Sequence, residues 1–236
     1  MKSNILMAAA AALFFVGCGS ASSATLINEN FDNVSALSGW VMTNEGSNPV
    51  DGPSPTGWFQ GNEGVMTSQA GALNSYIASN FLTSEQNVGA TLANWLISPE
   101  FSTSQAGTVS FWVNGDVFDP FVDHIAFGFN NSSSTASSSF TQMSAPIDVT
   151  SAGAVWTQYA ASFAAQAPGS STRFAIEYLG DADAANYIGI DTFSVVSSVE
   201  AAVPESSKWA MMIIGFAGIG AMTYRRKRNG TALRLA

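Results

Sequence analysis

Apolar and polar residues alternate along the middle of the chain with the two-residue period of a β-strand. The clearest alternating runs are residues 108–114, 125–129, 174–178 and 187–196, where Val, Ile, Phe and Tyr recur at alternate positions. Clusters of Gly, Ser, Asn and Pro separate these runs, as expected of turns between strands. No long pattern with the 3.6-residue helical period lies between them. The pattern predicts an all-β domain built as a jelly roll or β-sandwich.

Two polar stretches of this domain predict loops. Residues 132–139 are Ser-rich and of low complexity, which indicates a mobile surface loop. Residues 44–57 contain three prolines and indicate a long irregular connection. We predict a single domain at 25–196, followed by a linker at 197–203.

The N-terminal segment has the organisation of a signal peptide. Lys2 precedes an uncharged, Ala-rich apolar run at 5–16, and the small residues at 22–24 suit cleavage by signal peptidase after Ala24. We predict residues 1–24 as this peptide. The only cysteine, Cys18, lies inside it, so the mature domain would have no disulfide. Cys18 also ends a weak match to a lipoprotein motif, which leaves lipidation open as an alternative.

The C-terminal segment combines an uncharged run with a basic cluster. Residues 209–224 contain no charged side chain, Trp209 and Tyr224 stand at their ends, and four basic residues follow directly. Sixteen helical residues span ~24 Å, which is short for a ~30 Å hydrocarbon core. The flanking aromatic rings and the cations nevertheless favour a transmembrane helix at 209–224 with a cytoplasmic tail at 229–236. A buried core helix is the alternative.

The same segment resembles a known sorting signal. Residues 203–228 resemble the PEP-CTERM signal of Gram-negative bacteria in its Trp-Ala-Met-Met form, although Ser206 stands where the family usually has a second proline. The resemblance implies a signal at 204–228 that an exosortase recognises and cleaves near Pro-Glu. It also implies transient anchoring in the inner membrane, delivery to the cell envelope or extracellular matrix, and association with exopolysaccharide and biofilm. The residues that carry the resemblance are Val203, Pro204, Glu205, Trp209, Ala210, Met211, Met212, Gly215, Phe216, Arg225 and Arg226.

The charge of the chain is distributed unevenly. The full sequence has a formal net charge of −9. Seven of its eight basic residues and one of its seventeen acids lie in the terminal segments, so residues 25–202 carry one cation, Arg173, against sixteen acids and a formal charge of −15. A negatively charged domain lacks the cationic surface that binds nucleic acids or anionic lipids. It favours solubility and divalent cations as partners.

Residue types needed for several kinds of catalysis are scarce. His124 is the only histidine, and no Gly-x-Ser-x-Gly motif accompanies it, so a Ser-His-Asp hydrolase is not indicated. One histidine without cysteines does not supply a zinc site. Acids are numerous enough for the two carboxylates of a glycosidase, although no spacing pairs them. We interpret His124 as a polar residue at a strand edge and predict no catalytic residue.

A second resemblance covers residues 28–196. The order and spacing of several short segments resemble the choice-of-anchor J domain, a jelly-roll module related to cleaved-adhesin and MAM-like domains, and Trp-Leu-Ile-Ser-Pro is the most specific of them. The resemblance implies no activity and points to adhesive or carbohydrate-associated modules. The segments are Asn30-Phe31-Asp32, Gly39-Trp40, Asn94-Trp95-Leu96-Ile97-Ser98-Pro99, Val109-Ser110-Phe111-Trp112, Asp123-His124-Ile125, Phe174-Ala175-Ile176-Glu177-Tyr178 and Gly189-Ile190-Asp191-Thr192-Phe193-Ser194-Val195.

A structural calcium ion is expected from the acid excess and from this resemblance. Jelly-roll modules of this kind often join their first and last strands through calcium, which takes six to eight oxygen ligands. Glu29 and Asp32 at the first strand and Asp191 on the last are the predicted ligands. The competing interpretation is that Asp191 caps a turn and Asp32 is solvated. A second acidic group, formed by Asp116, Asp119 and Asp123, lacks EF-hand spacing and is interpreted as a solvated loop.

Aromatic residues are the remaining candidates for binding. Trp58 and Phe59 lie in a Pro- and Gly-rich stretch and are the best candidates for exposed rings that stack on a glycan. Most aromatic residues of such a domain belong to its core, and a core position is the favoured interpretation for these two as well. We therefore predict a non-catalytic exported protein of the cell surface or matrix, with an adhesive or glycan-binding role. The alternatives are a secreted carbohydrate-active enzyme on the same fold and a matrix component without a ligand.

Overall fold

The computed structural model describes residues 22–50, 52–85, 89–116, 120–130, 132–151, 155–199 and 205–230. Residues Ser23–Val199 form one compact unit, and the C-terminal helix belongs to another. Most of the predicted signal peptide with Cys18, the residues directly before the helix with Pro204, and the tail from residue 231 lie outside the described residues.

Thirteen strands are described in the compact unit, and they confirm the predicted all-β class. Runs 108–114, 125–129, 174–178 and 187–196 all lie on strands, as their alternation predicts. The strands are β1 (Ser22–Glu29), β2 (Val41–Asn44), β3 (Phe59–Gln60), β4 (Ile77–Asn80), β5 (Thr91–Ile97), β6 (Phe101–Ser102), β7 (Gly107–Gly115), β8 (Asp123–Asn130), β9 (Gln142–Met143), β10 (Ile147–Val149), β11 (Thr157–Phe163), β12 (Ser171–Asp181) and β13 (Tyr187–Val199).

The strands form two sheets that pack as a sandwich. The first sheet has the order β11-β7-β13-β4-β3, and β1 also pairs with β13. The second sheet has the order β10-β8-β12-β5-β2, with β6 beside β12 and β9 beside β8. Strands close in space are distant in sequence, so long-range pairing defines the fold.

The core between the sheets is aromatic. The ring centroids of Phe174 and Phe129 are 4.9 Å apart, and those of Trp40 and Phe193 are also 4.9 Å apart. Both pairs have edge-to-face geometry. Such pairs add about 0.5–1.5 kcal/mol each beyond the area they bury. A chain without cysteines in its folded domain depends on this apolar packing for stability.

A β-bulge on β13 decides which face its residues occupy. The register against β7 shifts between Asp191 and Ser194, and Thr192 in the bulge has a φ of 48°. Ile190 and Phe193 both lie in the core because the extra residue changes the alternation by one. The bulge leaves Asp191 on the outer face of the first sheet.

Each outer face carries a smaller apolar cluster. We call the group on the first sheet the tyrosine cluster; it contains Met66, Tyr76, Ala78 and Tyr187, with Phe59 and Trp156 packed against it. We call the group on the second sheet the Trp95 cluster; it contains Trp95, Ile97, Phe140 and Ala175, with Val41 and Met143 packed against it.

The Ser-rich segment covers the Trp95 cluster. Phe140 is buried, and its ring centroid lies 5.9 Å from that of Trp95. Ser137 Oγ donates to Glu45 Oε2 at 2.5 Å, and Asn130 Nδ2 donates to Ser139 Oγ at 3.0 Å. Residues 132–139 lie at the surface, as predicted, and these contacts hold the part at 137–139 against the second sheet.

The C-terminal helix α1 spans Glu205–Gly230 and contains the predicted segment 209–224. Its side chains from 211 to 224 are exposed. Among the described residues, no helix is both long enough and apolar enough to cross a membrane. The predicted transmembrane role of 209–224 is therefore not supported.

Candidate functional site

A recess of about 490 Å³ lies where the edge strands β2 and β3 meet the loops beside them. Both predicted stacking residues, Trp58 and Phe59, belong to its lining. None of the described residues that line it has a titratable side chain. The lining residues are Asn33, Val34, Ser35, Met42, Pro53, Ser54, Thr56, Trp58, Phe59 and Gln60.

A glycine turn places the two aromatic residues. Gly57 has a φ of +79°, and a Cβ there would lie 2.5 Å from the Asn94 side chain, so a larger residue would be strained and would collide. The chain then enters β3 with Trp58 in the sandwich core and Phe59 against the tyrosine cluster. The turn therefore gives neighbouring aromatic residues two different environments.

The two aromatic residues differ in exposure. Trp58 is 1% exposed, so its ring lies in the core, which is the interpretation favoured from the sequence, and it is not accessible for stacking on a glycan. Its Nε1 is buried without a hydrogen-bond partner among the described residues. Phe59 is half-buried, and its ring meets Tyr187 edge-to-face at 5.9 Å. Phe59 is therefore the better candidate for contact with a ligand.

The polar lining divides into fixed and available groups. Gln60 is fixed, since its Oε1 accepts from Val34 N at 2.9 Å and its Nε2 donates to Phe31 O at 2.9 Å. Asn33 and Ser35 are exposed and hydrogen-bond to each other at 2.7 Å. Amide and hydroxyl groups beside an aromatic ring can bind an uncharged, hydroxyl-rich molecule, and they supply no general acid or base.

A second, smaller recess of about 280 Å³ lies at the end of β11. The described residues of its lining likewise include no titratable side chain, and two of them are aromatic. The lining residues are Thr103, Phe129, Gln142, Ser162, Phe163, Ala164, Gln166 and Thr172. Sequence reasoning did not find this recess, because its residues come from five separate stretches of the chain.

Asp191 is fully buried and bound by backbone donors. Its Oδ2 accepts from Gln69 N at 2.7 Å and Ala70 N at 3.1 Å, and its Oδ1 accepts from Thr192 N at 2.6 Å. Burial raises the pKa of Asp191 to about 6, against the opposing effect of these N–H donors. The carboxyl group holds the loop at 69–70 against the outer face of the first sheet.

The predicted calcium ligands are only partly brought together. Glu29 Oε1 accepts from Phe31 N at 2.9 Å, which fixes it at the end of β1. Asp32 is exposed, and its Oδ1 lies 3.3 Å from the position that a Cβ on Gly71 would occupy. Asp32 and Asp191 therefore approach the same loop. Among the described residues, no group of three or more His, Cys, Asp or Glu side chains is placed to hold a metal ion. Backbone oxygens would have to complete any calcium site.

Asp123 is a buried structural residue, which corrects the interpretation of the second acidic group as solvated. It is 3% exposed; Tyr178 Oη donates to its Oδ1 at 2.5 Å and Asn186 N donates to the same atom at 2.7 Å. Burial raises its pKa, against these hydrogen bonds. The local sequence pattern could not indicate this burial, because the hydrogen-bond partner Tyr178 is distant in sequence. Asp119 lies outside the described residues.

His124 and Glu177 are the remaining titratable candidates. His124 lies at the start of β8, where the prediction placed it, and its Nδ1 is 3.0 Å from Asp148 Oδ1. Burial, with a smaller contribution from Glu45, raises the pKa of Glu177 to about 7. Glu177 is opposite Trp95 on β5, beside the Trp95 cluster. Sequence spacing did not identify the pair of Glu177 and Glu45.

The residues of the predicted sorting signal lie on or beside α1. Glu205 begins the helix, and Trp209, Arg225 and Arg226 lie within it. Their side chains are outside the described part of the chain.

Comparison with known proteins supports the fold. No protein-family model matches the chain, and no curated protein matches it. The K3 cleaved adhesin domain of Lys-gingipain from Porphyromonas gingivalis matches with a TM-score of 0.53 at 22% identity, covering 75% of this chain and 99% of that one. The K1 cleaved adhesin domain matches with a TM-score of 0.54 at 19% identity, covering 74% and 97%.

A xylan-binding domain from Paenibacillus barcinonensis matches less well. Its TM-score is 0.44 at 13% identity, covering 78% of this chain and 99% of that one. The two gingipain domains therefore define the class of fold: this chain contains a β-sandwich of the cleaved-adhesin type. The identities are too low to carry more than the fold.

Proposed function

We propose that this protein is a non-catalytic, exported cell-surface or matrix protein whose β-sandwich binds a neutral glycan. The observation that carries the proposal is the recess beside Phe59, whose described lining has aromatic, amide and hydroxyl groups and no titratable side chain. Sugars have apolar ring faces and many hydroxyl groups, so a lining of this composition suits them.

The charge of the domain narrows the class of glycan. Residues 25–202 have a formal charge of −15, so polysaccharides rich in uronic acids or sulfate would be repelled. Neutral glycans escape this repulsion. The likeness in fold to cleaved adhesin domains is compatible with an adhesive role.

A glycan array with neutral and acidic members tests this proposal. Phe59→Leu keeps an apolar side chain but removes the ring, and Ser35→Trp fills the mouth of the recess from an exposed position. Both variants should lower the signal for the bound neutral glycan by about tenfold, the effect of losing ~1.4 kcal/mol. Phe129→Leu is the matched control, because it changes a half-buried phenylalanine in the other recess. Equal loss in all three variants, or selective binding of acidic glycans, would contradict the proposal.

A second candidate function has one observation in its favour. Glu177 has a pKa of about 7, and Glu45 contributes to it, as expected for one partner of a carboxylate pair in a glycosidase. The anchored segment with Ser137 and Phe140 covers this face. Release of reducing sugar by the purified protein, abolished in Glu177→Gln, would establish the enzyme and overturn the non-catalytic proposal.

Sorting through the C-terminal segment is part of the proposal and rests on the PEP-CTERM resemblance. An exosortase would cleave near Pro204 and Glu205, after signal peptidase has removed residues 1–24, and the product would join exopolysaccharide or biofilm. Intact mass of the secreted protein tests both cleavages. A mass ending near residue 204 supports sorting, and a product that retains residues 205–236 contradicts it.

A further inference from the structure

Strand β11 forms one edge of the first sheet. It pairs with β7 along its whole length, from Thr157 opposite Val113 to Phe163 opposite Gly107. No described strand lies on its other side. An edge strand leaves backbone N–H and C=O groups available at alternate residues, and these groups can pair with another chain.

This edge lacks the features that usually protect one. The other edge strands are short or carry an acid: β3 and β9 have two residues each, β10 has three with Asp148 among them, and β1 ends in Glu29. Strand β2 has four residues and is followed by Glu45. Strand β11 has seven residues without charge or proline, and no charged residue occurs between 149 and 172. Charges and prolines on edges are common barriers to unwanted pairing.

We propose that β11 pairs antiparallel with β11 of a second copy of this chain, which joins the two first sheets into one continuous sheet. Two copies with a domain charge of −15 repel each other over most of their surfaces. The neutral segment at 149–172 is where they approach with the least repulsion. A second copy fits because an antiparallel edge is complementary to itself in its hydrogen bonds.

The side chains suit a fully overlapped pairing. Such a pairing places Ala160, the middle residue of the strand, on the twofold axis. Gln158 then faces Ser162 among the exposed side chains, and Tyr159 faces Ala161 among the half-buried ones. Polar residues therefore meet polar residues, and a large side chain meets a small one, with no like charges opposed.

The test measures the native mass of the full gene product, purified as secreted, by light scattering over a range of concentrations. Wild type should show a monomer–dimer equilibrium that shifts toward dimer with added salt, because salt screens the repulsion between the acidic domains. Ala160→Lys sets two cations against each other on the axis and should raise the dimer dissociation constant about tenfold or more. Ser38→Lys is the control, with the same charge change at an exposed position before β2, which lies at the opposite end of the second sheet's strand order from β8 and β10.

A crosslinking experiment checks the register. Because Cys18 lies in the predicted signal peptide, the mature chain has no cysteine of its own. Ala160→Cys should form a disulfide-linked dimer under mild oxidation, and Ser38→Cys should stay monomeric. A wild-type protein that remains monomeric at high concentration and high salt overturns the proposal. So does equal association of Ala160→Lys and Ser38→Lys, which would place the contact elsewhere, including on α1.

Discussion

The apolar clusters on the two outer faces of the sandwich are covered in different ways. Each sheet has an apolar cluster on its outer side, covered by a long connection, and a carboxyl group with a raised pKa beside it. On the first sheet, Asp191 accepts backbone N–H groups from the covering loop, and Phe59 reaches the recess at the edge. On the second sheet, Phe140 closes over Trp95. The difference indicates that a buried carboxyl group holds the covering loop of the first face, whereas a buried aromatic ring, beside the hydrogen bond from Ser137 to Glu45, holds the covering segment of the second.

Removing the aromatic ring that covers the Trp95 cluster should give the largest loss of stability. Phe140→Ala deletes a buried ring from a small cluster and should lower the free energy of unfolding by about 3 kcal/mol. Glycan binding by the remaining folded protein should not change, because Phe140 does not line the recess. Urea unfolding and a binding isotherm on the same samples measure both. Parallel loss of affinity would mean that the two faces do not act separately.

Calcium should stabilise the first face only. If Glu29, Asp32 and Asp191 hold the ion together with backbone oxygens, calcium at a hundredfold excess over its dissociation constant should add about 2.7 kcal/mol. Differential scanning calorimetry with and without chelator measures this effect. Asp191→Asn should abolish it and Glu177→Gln should retain it. A melting temperature that does not change with chelator would contradict calcium binding. Asp191 would then only cap the loop at 69–70.

Stability without calcium should decrease as pH rises from about 4 to about 7. The pKa of Asp191 is raised to about 6 and that of Glu177 to about 7, so the folded state binds their protons more tightly than the unfolded state. Their stabilising contribution is complete below the unfolded pKa values and disappears through the folded ones. Each unit of difference corresponds to about 1.4 kcal/mol, less where water reaches the group. We expect a decrease of about 3 kcal/mol or more in denaturant titrations.

Two variants separate the faces in this pH experiment. Asp191→Asn should remove the part of the decrease centred near pH 5, and Glu177→Gln should remove the part that extends toward pH 7. Stability that increases across this window in the wild type would show that other groups control it.

The smallest effect is expected from the hydroxyl group of Tyr187. Tyr76 Oη hydrogen-bonds to Asn62 O at 2.8 Å and lies 3.2 Å from Tyr187 Oη. Tyr187→Phe should therefore cost about 1 kcal/mol, the typical net value of one hydrogen bond. Chemical unfolding measures the change, and Tyr159→Phe is a control on the edge strand. A loss above that of Phe140→Ala would reverse the ranking of the two faces.

Sequence pattern predicted the architecture well, for a physical reason. Strands such as β7 and β12 alternate between core and outer face, so their residues carry a period-two signal. Contacts made by distant residues carry no such signal, which is why the burial of Asp123 under Tyr178 and the covering role of Phe140 were missed. Trp58 shows the same limit, since its Pro- and Gly-rich neighbourhood made it a candidate for exposure, and only the tertiary fold shows that the ring lies in the core. Phe59 and Asp191 were found as candidates, but their environments required the three-dimensional arrangement.

We infer that the recess beside Phe59 binds a neutral glycan without transforming it. The most direct measurement incubates the secreted protein with the neutral glycan selected from the array and records retention and reducing-sugar release in the same sample. We expect saturable retention of the glycan, with no sugar released. Phe59→Leu should weaken this retention about tenfold, and Phe129→Leu should preserve it. Release of sugar, or retention that is indifferent to Phe59, would contradict it.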